Sequence, residues 1–113
     1  MRRGEIRWCT LRKPEKVRPV VILTRSSAIP LLKSVSVAPL TSTMRGGPSQ
    51  VLLSPDDDGV EHACVVNLDN MQTIEKSEIG ALMTTLSPAR IREIEESLCF
   101  ALGIDWALRA RGS

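Results

Sequence analysis

The sequence predicts a mainly-β domain, a small barrel that ends in one α-helix. Short apolar segments separated by turn residues fill the first two thirds of the chain, a pattern typical of small barrels. One stretch of helical periodicity follows near the C-terminus. The 113 residues, 42% of them hydrophobic, are enough for one compact core and not for two. We therefore predict a single domain over residues 1–108 and a disordered tail over residues 109–113.

The first two predicted strands differ in how deeply they should be buried. Residues 4–11 alternate weakly between apolar and polar side chains, which indicates a half-buried strand. Residues 12–17 are mostly charged and contain a proline, so we expect a loop there. The run 19–23 is apolar on both faces, which indicates a central strand buried on two sides.

The middle of the chain continues with short elements. Residues 35–38 alternate and then meet Pro39, which predicts a strand that ends near Leu40 or lies at a sheet edge. Residues 41–49 contain Gly-Gly-Pro and predict a flexible loop. The remaining expected elements are a strand at 50–53, an acidic turn at 54–59, strands at 64–66 and 71–74, a short turn capped by Ser77 and a last strand at 81–86.

Residues 87–102 carry the helix signal. Ser87 is a favourable N-cap and Pro88 suits the first helical position, where its missing N–H has no intrahelical role. Gly103 can end the helix in a left-handed conformation. The apolar residues that repeat at helical spacing are Ile91, Ile94, Leu98, Ala101 and Leu102.

Charge is distributed unevenly along the chain. Residues 1–45 carry a net charge of +8 and residues 46–113 a net charge of −6, although the whole chain carries only +2. This asymmetry suggests a surface that faces a polyanion. The alternative is that the two sets of charges interleave once the chain folds.

Cysteine and histidine usage narrows the possible chemistry. The three cysteines, Cys9, Cys64 and Cys99, are too far apart for a zinc knuckle and too few for a disulfide framework. His62 is the single histidine, so one chain cannot supply a pair for acid–base work, and we expect it at the surface. The acidic run 56–58 reads as a solvated turn, without the ligand spacing of a metal site. No apolar run is long enough for a membrane span or signal core, which predicts a cytoplasmic protein.

Two segments contain groups suited to phosphate. Arg18 precedes Pro19, which biases it toward an extended backbone at a strand mouth, and its planar guanidinium matches a phosphate group. The loop 39–47 places Thr41, Ser42, Thr43 and Arg45 before two glycines, where hydroxyls and N–H groups can hold phosphate oxygens. Each segment could equally be an ordinary strand start or a Ser/Thr turn.

A third segment carries amide and carboxylate groups, namely Asn67, Asp69 and Asn70. These side chains can hydrogen-bond the edges of nucleobases, and they can equally close Asx turns. With three aromatic residues in the whole chain, a stacking platform for bases is not expected. Binding to nucleic acid would then depend on charge and hydrogen bonds.

Four segments in order resemble the MazF/PemK toxins of type II toxin–antitoxin systems. They are MRRGEI at 1–6, VRPVVIL at 17–23, VAPLTST at 37–43 and CVVNLDNMQTI at 64–74, and the likeness covers residues 2–103. The resemblance implies an SH3-like barrel of the CcdB/MazF/PemK type with a C-terminal helix, assembled as a homodimer. It implies cleavage of single-stranded RNA at short sequences without metal or cofactor, leaving 2′,3′-cyclic phosphate and 5′-hydroxyl ends.

The resemblance also implies roles for particular residues. Arg18 matches the family's catalytic arginine and Thr41 its catalytic threonine. Asp69 falls where members carry an acidic residue near the RNA, and Asn67 where one branch carries a functional arginine. With the residue chemistry above, the expected substrate-binding set is Ser42, Thr43, Arg45, Asn67, Asp69 and Asn70. The candidates for a general base are Glu5 and Asp69.

The loop at 12–17 is shorter than in many relatives, so we expect the gate over the active site and its regulation to differ. Arg7 replaces a usual aromatic residue and Asn67 the arginine of one branch, so the base preference of a relative cannot be transferred. The implied partner is an acidic, partly disordered antitoxin that competes with RNA for the basic surface. A non-enzymatic poison similar to the CcdB toxins, acting through the helix and the tail around Trp106, is the alternative. A homologue that binds only an antitoxin is a third reading.

Overall fold

A computed structural model describes residues 1–11 and 16–105 of the chain. The predicted tail and the region around Trp106 lie outside these residues. The strands are β1 Glu5–Leu11, β2 Lys16–Ile22, β3 Ser34–Thr41, β4 Gln50–Leu53, β5 Cys64–Asn67, β6 Gln72–Glu75 and β7 Ile79–Thr85. The α-helices are α1 Pro55–Asp58 and α2 Pro88–Leu102, and short 3₁₀ turns lie at Ile29–Leu31, Leu68–Asn70 and Lys76–Glu78.

The strands form one antiparallel sheet in the order β4-β5-β3-β2-β1-β7, with β6 added beside β3. A mainly-β fold with a C-terminal helix is therefore confirmed. Within the described residues the two end strands, β4 and β7, do not pair, so the sheet curls without closing into a barrel. No described helix is both long enough and apolar enough to cross a membrane.

The central strand β2 begins earlier than the sequence predicts. Val20 to Ile22 are buried, as expected for a strand covered on both faces. The predicted loop at 12–17 is wrong at its end, because Lys16 and Val17 already pair with Leu11 and Thr10 of β1. Residues 12–15 lie outside the described part of the chain.

Strand β3 is not an edge strand, and its partners explain how it accommodates a proline. It pairs with β2 on one side, while residues 34–37 pair with β6 and residues 40–41 pair with β5. Pro39 lies between those two segments, where the partner strand changes. A missing N–H is tolerated best where a ladder is interrupted.

The helix α2 begins and ends as predicted. Ser87 accepts a hydrogen bond from the N–H of Arg90, and Gly103 adopts a φ of +71°. Ile94 is buried in the larger core cluster, which includes Ile6, Val21 and Leu53. The packed face of the helix is shorter than expected, because Leu102 is 53% exposed.

Two turn predictions need correction. The acidic segment 54–59 contains a one-turn helix, because the Ser54 side chain accepts from Asp57 N–H and Gly59 takes a positive φ. Ser77 does not cap a turn but lies inside the 3₁₀ turn Lys76–Glu78, whose N-cap is Glu75.

Candidate functional site

A polar cleft of about 280 Å³ opens where strands β2 to β6 and the loop after β3 meet. Its lining comes from several separate elements of the chain, and eight of the ten lining residues are polar. The lining residues are Arg18, Pro39, Leu40, Thr41, Thr43, Arg45, Gln50, Asn67, Asn70 and Gln72.

The sheet register brings these residues together. Val20 pairs with Pro39 at the end of the β2–β3 ladder, and Arg18 and Thr41, two residues beyond this pair, both line the cleft. On the other side of β3, Thr41 pairs with Val65 of β5. At the end of β5, Asn67 pairs with Gln50 of β4. The cleft therefore lies along the line where β3 exchanges one neighbour for another.

The two cleft arginines have no anionic partner in the described part of the chain. Arg18 and Arg45 are exposed, and neither guanidinium forms an ion pair within residues 1–11 and 16–105. The Pro19 ring fixes the backbone beside Arg18. Two permanently charged forks thus face solvent at one cleft, an arrangement suited to phosphate oxygens.

The Thr41 hydroxyl is held so that it can still donate a hydrogen bond. Its Oγ1 accepts from the backbone N–H of Thr43 at 3.2 Å. A hydroxyl carries one donor and two acceptor lone pairs, so the O–H proton stays available. Thr41 also forms part of the cleft wall, which allows this proton to reach a bound ligand.

Four carboxamides form one wall of the cleft. Asn67 and Asn70 are in the predicted set, whereas Gln50 and Gln72 are not. Asn67 Oδ1 accepts from Asp69 N–H at 3.1 Å, which leaves its NH₂ group as a donor. Gln50 and Gln72 each stand first in a short strand. This position at the start of a strand is the sequence feature that could have identified them. Arg18, the third residue of β2, does not share it.

Two residues of the predicted binding set lie beside the cleft and not in its lining. Ser42 lines a second, more apolar cavity of about 150 Å³, which shares Leu40 and Thr41 with the cleft. His62 lies at the same cavity. The carboxylate of Asp69 accepts a hydrogen bond from Ser49 Oγ at 2.5 Å. Both predicted residues therefore stand next to the cleft lining.

The candidate general bases do not enter the cleft lining. Glu5 is buried at the β1–β7 side and accepts from Arg7 Nε at 2.7 Å. Burial acts to raise the pKa of Glu5, but the Arg7 hydrogen bond and charge outweigh it and the pKa is lowered. Glu5 is thus engaged in an ion pair, and the described lining holds neither a carboxylate nor an imidazole.

Two of the three thiols, those of Cys9 and Cys64, are poorly suited to nucleophilic chemistry. Burial raises the pKa of Cys9, and burial together with Asp58 raises the pKa of Cys64. A thiol with a raised pKa holds less of the reactive thiolate at neutral pH. Among the described residues, no group of three His, Cys, Asp or Glu side chains is placed to hold a metal ion.

The cleft combines fixed positive charge, a free hydroxyl proton and amide groups, with no negative charge in its described lining. Guanidinium groups and hydroxyls stabilise phosphate oxygens, and amides recognise base edges. The arrangement fits a polyanion that carries hydrogen-bonding bases.

Comparison with known proteins places the chain among bacterial toxins. Residues 2–102 match the family described as PemK-like, MazF-like toxin of type II toxin–antitoxin system. The chain is 37% identical over 102 residues to the probable endoribonuclease MazF5 of Mycobacterium tuberculosis, covering 90% of this chain and 89% of that protein.

Solved structures agree in fold. The Mycobacterium tuberculosis toxin MazF-mt6 superposes with a TM-score of 0.81 at 34% identity, covering 90% of this chain and 99% of that one. A mycobacterial endoribonuclease in complex with its cognate antitoxin gives a TM-score of 0.82 at 29% identity, covering 94% and 98%.

Proposed function

The chain belongs to the PemK/MazF family of type II toxin–antitoxin toxins, and from that premise we propose that it is a sequence-specific, metal-independent endoribonuclease. Its substrate is single-stranded RNA. The observation that carries the proposal is that two arginines, Arg18 and Arg45, which pair with no carboxylate among the described residues, lie with the Thr41 hydroxyl in one polar cleft. Relatives at 37% identity bear the name endoribonuclease.

The proposed reaction is internal attack by the RNA 2′-hydroxyl on the adjacent phosphorus. The 2′ oxygen forms a bond to phosphorus while the bond to the 5′ oxygen breaks, which gives a 2′,3′-cyclic phosphate and a 5′-hydroxyl. Arg18 stabilises the added negative charge of the pentacoordinate phosphorane. A guanidinium keeps its proton in this pH range, so Arg18 acts through charge and hydrogen bonds.

Thr41 donates its hydroxyl proton to a phosphate oxygen. The accepted hydrogen bond from Thr43 N–H holds Oγ1 in place for this contact. Because the described lining offers no carboxylate or imidazole, hydroxide from the solvent takes the 2′-hydroxyl proton and the leaving 5′ oxygen takes a proton from water. The rate should then rise with pH, without the plateau that a carboxylate or histidine base would produce.

The remaining predicted residues bind the substrate. Arg45 contacts a phosphate, and Thr43, Asn67 and Asn70 contact base edges, which are accessible only in unpaired RNA. Ser42 and Asp69 border the nucleotides on either side. Amides and hydroxyls discriminate bases through hydrogen bonds, which is why we propose cutting at defined short sequences.

The proposed partners are a cognate antitoxin and a second copy of the chain. The mycobacterial relative above is described in complex with its cognate antitoxin. An acidic, partly disordered antitoxin would cover the unpaired arginines and exclude RNA from them. A toxin that acts on RNA under antitoxin control would work in the cytoplasm.

The test is incubation of the purified protein with a mixed RNA pool in EDTA. We expect discrete cuts that carry 5′-hydroxyl ends, and their sequencing gives the recognition motif. Arg18→Ala should remove the cuts. Arg25→Ala is the matched control, since Arg25 is also exposed but does not line the cleft. Intact RNA after incubation with folded wild-type protein refutes the proposal.

A non-enzymatic poison similar to the CcdB toxins is the second candidate. It is favoured by exposed apolar side chains at the end of α2, where Phe100 is 58% and Ile104 50% exposed. Under this reading, Arg18→Ala stays toxic to cells, whereas truncation after Gly103 abolishes toxicity. The endoribonuclease proposal predicts that Arg18→Ala relieves toxicity.

A further inference from the structure

One side chain of the cleft lining, that of Gln50, forms hydrogen bonds to the protein backbone. Gln50 Oε1 accepts hydrogen bonds from the N–H of Arg45 at 2.8 Å and of Gly46 at 3.3 Å. Its Nε2 donates to the carbonyl of Thr43 at 3.4 Å. A single amide thus spans residues 43–46, which we call the cleft loop.

The cleft loop has little else to hold it. The side chains of Thr43, Met44 and Arg45 are exposed, and Met44 is 51% exposed, so none supplies buried packing. Gly46 has no atom near the position a Cβ would take. Loops without buried contacts owe their conformation to hydrogen bonds, and Gln50 supplies most of those made by this loop.

We propose that Gln50 is a positioning residue that holds the cleft loop so that Arg45 faces the RNA. The inference rests on the proposed function for its RNA part. Its structural part stands on the three hydrogen bonds alone. A loop already fixed in its bound conformation loses less entropy when the ligand arrives, which strengthens binding without any contact from Gln50 itself.

Trypsin tests the structural part without RNA, because it cuts after Arg45 only when the loop opens. Gln50→Leu keeps the size of the side chain and removes all three hydrogen bonds. We expect the Arg45–Gly46 bond to be cut about a hundredfold faster, since three hydrogen bonds are lost and each is worth roughly fivefold. Unchanged cutting at that bond in folded Gln50→Leu overturns the proposal.

Two further variants sharpen the proteolysis test. Gln50→Glu can still accept from both N–H groups and loses only the bond to the Thr43 carbonyl, so its cutting should rise by only about fivefold. Gln72→Leu removes a second cleft amide that makes no hydrogen bond to the cleft loop in the described chain, so it should leave cutting unchanged. If Gln50→Leu and Gln72→Leu accelerate the cutting equally, both variants have lost structure generally. That result would refute the proposal that Gln50 holds the cleft loop. Gln50→Ala replaces the Leu variant if that variant melts early.

A double-mutant cycle with Arg45→Ala tests the RNA part. Gln50→Leu alone should raise KM for RNA about tenfold and change kcat less, because binding is what the loop prepares. In the Arg45→Ala background the same change should cost less than about twofold. A full tenfold effect in both backgrounds would show that Gln50 contacts RNA directly and overturn the positioning role. If the wild-type protein cuts no RNA, the proposed function fails. The trypsin result still tests whether Gln50 holds the cleft loop.

Discussion

The arginines of this protein fall into two regions that differ in their partners. Arg18 and Arg45 line the cleft without a carboxylate in the described chain, whereas Arg3, Arg7 and Arg90 are each paired with one. Of the ten basic residues before position 46, Arg3 and Arg7 are paired in this way, whereas Arg18 and Arg45 line the cleft. These two guanidinium groups are the positive charges that the described lining of the cleft offers to a polyanion.

The paired region is built for stability. Asp58 has a side chain only 2% exposed and accepts from Arg90 Nε at 2.9 Å and from the backbone N–H of Ser54. The Asp58 hydrogen bond raises the pKa of Arg90, so that pair stays ionised. This ion pair joins α1 to α2, and neither of its residues lines the cleft. Substitutions in the two regions should separate activity from stability.

The largest expected effect is on catalysis and comes from Arg18→Ala. Removing the group that stabilises the phosphorane should lower kcat/KM for RNA by about 10²–10³-fold. The free energy of unfolding should change by less than about 0.5 kcal/mol, because the exposed guanidinium has no described partner. RNA cleavage assays and thermal melts measure both. If Arg18→Ala lost as much stability as the substitution of a paired arginine, the distinction between the two regions would be contradicted.

The converse substitution, Asp58→Ala, should destabilise the fold and spare the cleft. Removing one member of a mostly buried ion pair costs about 3 kcal/mol, because the partner charge and the Ser54 N–H lose their acceptor. Urea unfolding measures the loss. Asp56→Ala, at an exposed position of the same helix, is the control. RNA cleavage should persist wherever the variant is folded, and a specific loss of activity would contradict this.

The Glu5–Arg7 pair should make stability depend on pH. The folded pKa of Glu5 lies below its ordinary value of 4.5, so its stabilisation is present above that value and disappears as pH falls through the folded pKa. Glu5→Gln should cost about 1.5 kcal/mol at pH 7. The difference from wild type should shrink in acid, as followed by urea unfolding at several pH values. If the difference in stability grew toward acid pH, that result would contradict a lowered pKa of Glu5 in the folded protein.

Arg45→Ala should have the smallest of these effects, confined to binding. We expect KM to rise about tenfold, as for Gln50→Leu, and the slope of log affinity against log salt to fall by about 0.7 for one lost phosphate contact to a single strand. Fluorescence anisotropy at several salt concentrations measures the slope. An unchanged slope would place Arg45 outside the phosphate contacts.

The comparison also shows what the sequence can predict. The Arg18–Pro19 step and the Thr41 loop are local patterns, so both could be singled out as candidates. The predicted position of Arg18 at a strand mouth is wrong, because β2 begins at Lys16 and Arg18 pairs with Cys9 inside the strand. The helix boundaries followed from Ser87 and Gly103 for the same reason. Local chemistry decides such features, and the sequence contains it.

Features that depend on distant pairing could not be predicted. Gln50 and Gln72 reach the cleft only because β3 changes partner along its length. Likewise, the early start of β2 depends on pairing with β1, and the open sheet depends on its end strands, β4 and β7. No local pattern reports these contacts.

The most direct test of the division between the arginines is NMR of their Nε–H groups during titration with a pool of 2′-O-methyl RNA. The 2′-O-methyl group blocks internal attack, so binding is observed without cleavage. The signals of Arg18 and Arg45 should shift, while that of Arg90, held by Asp58, should not. Shifts at Arg90 with none at Arg18 would contradict the assignment of the cleft as the RNA site.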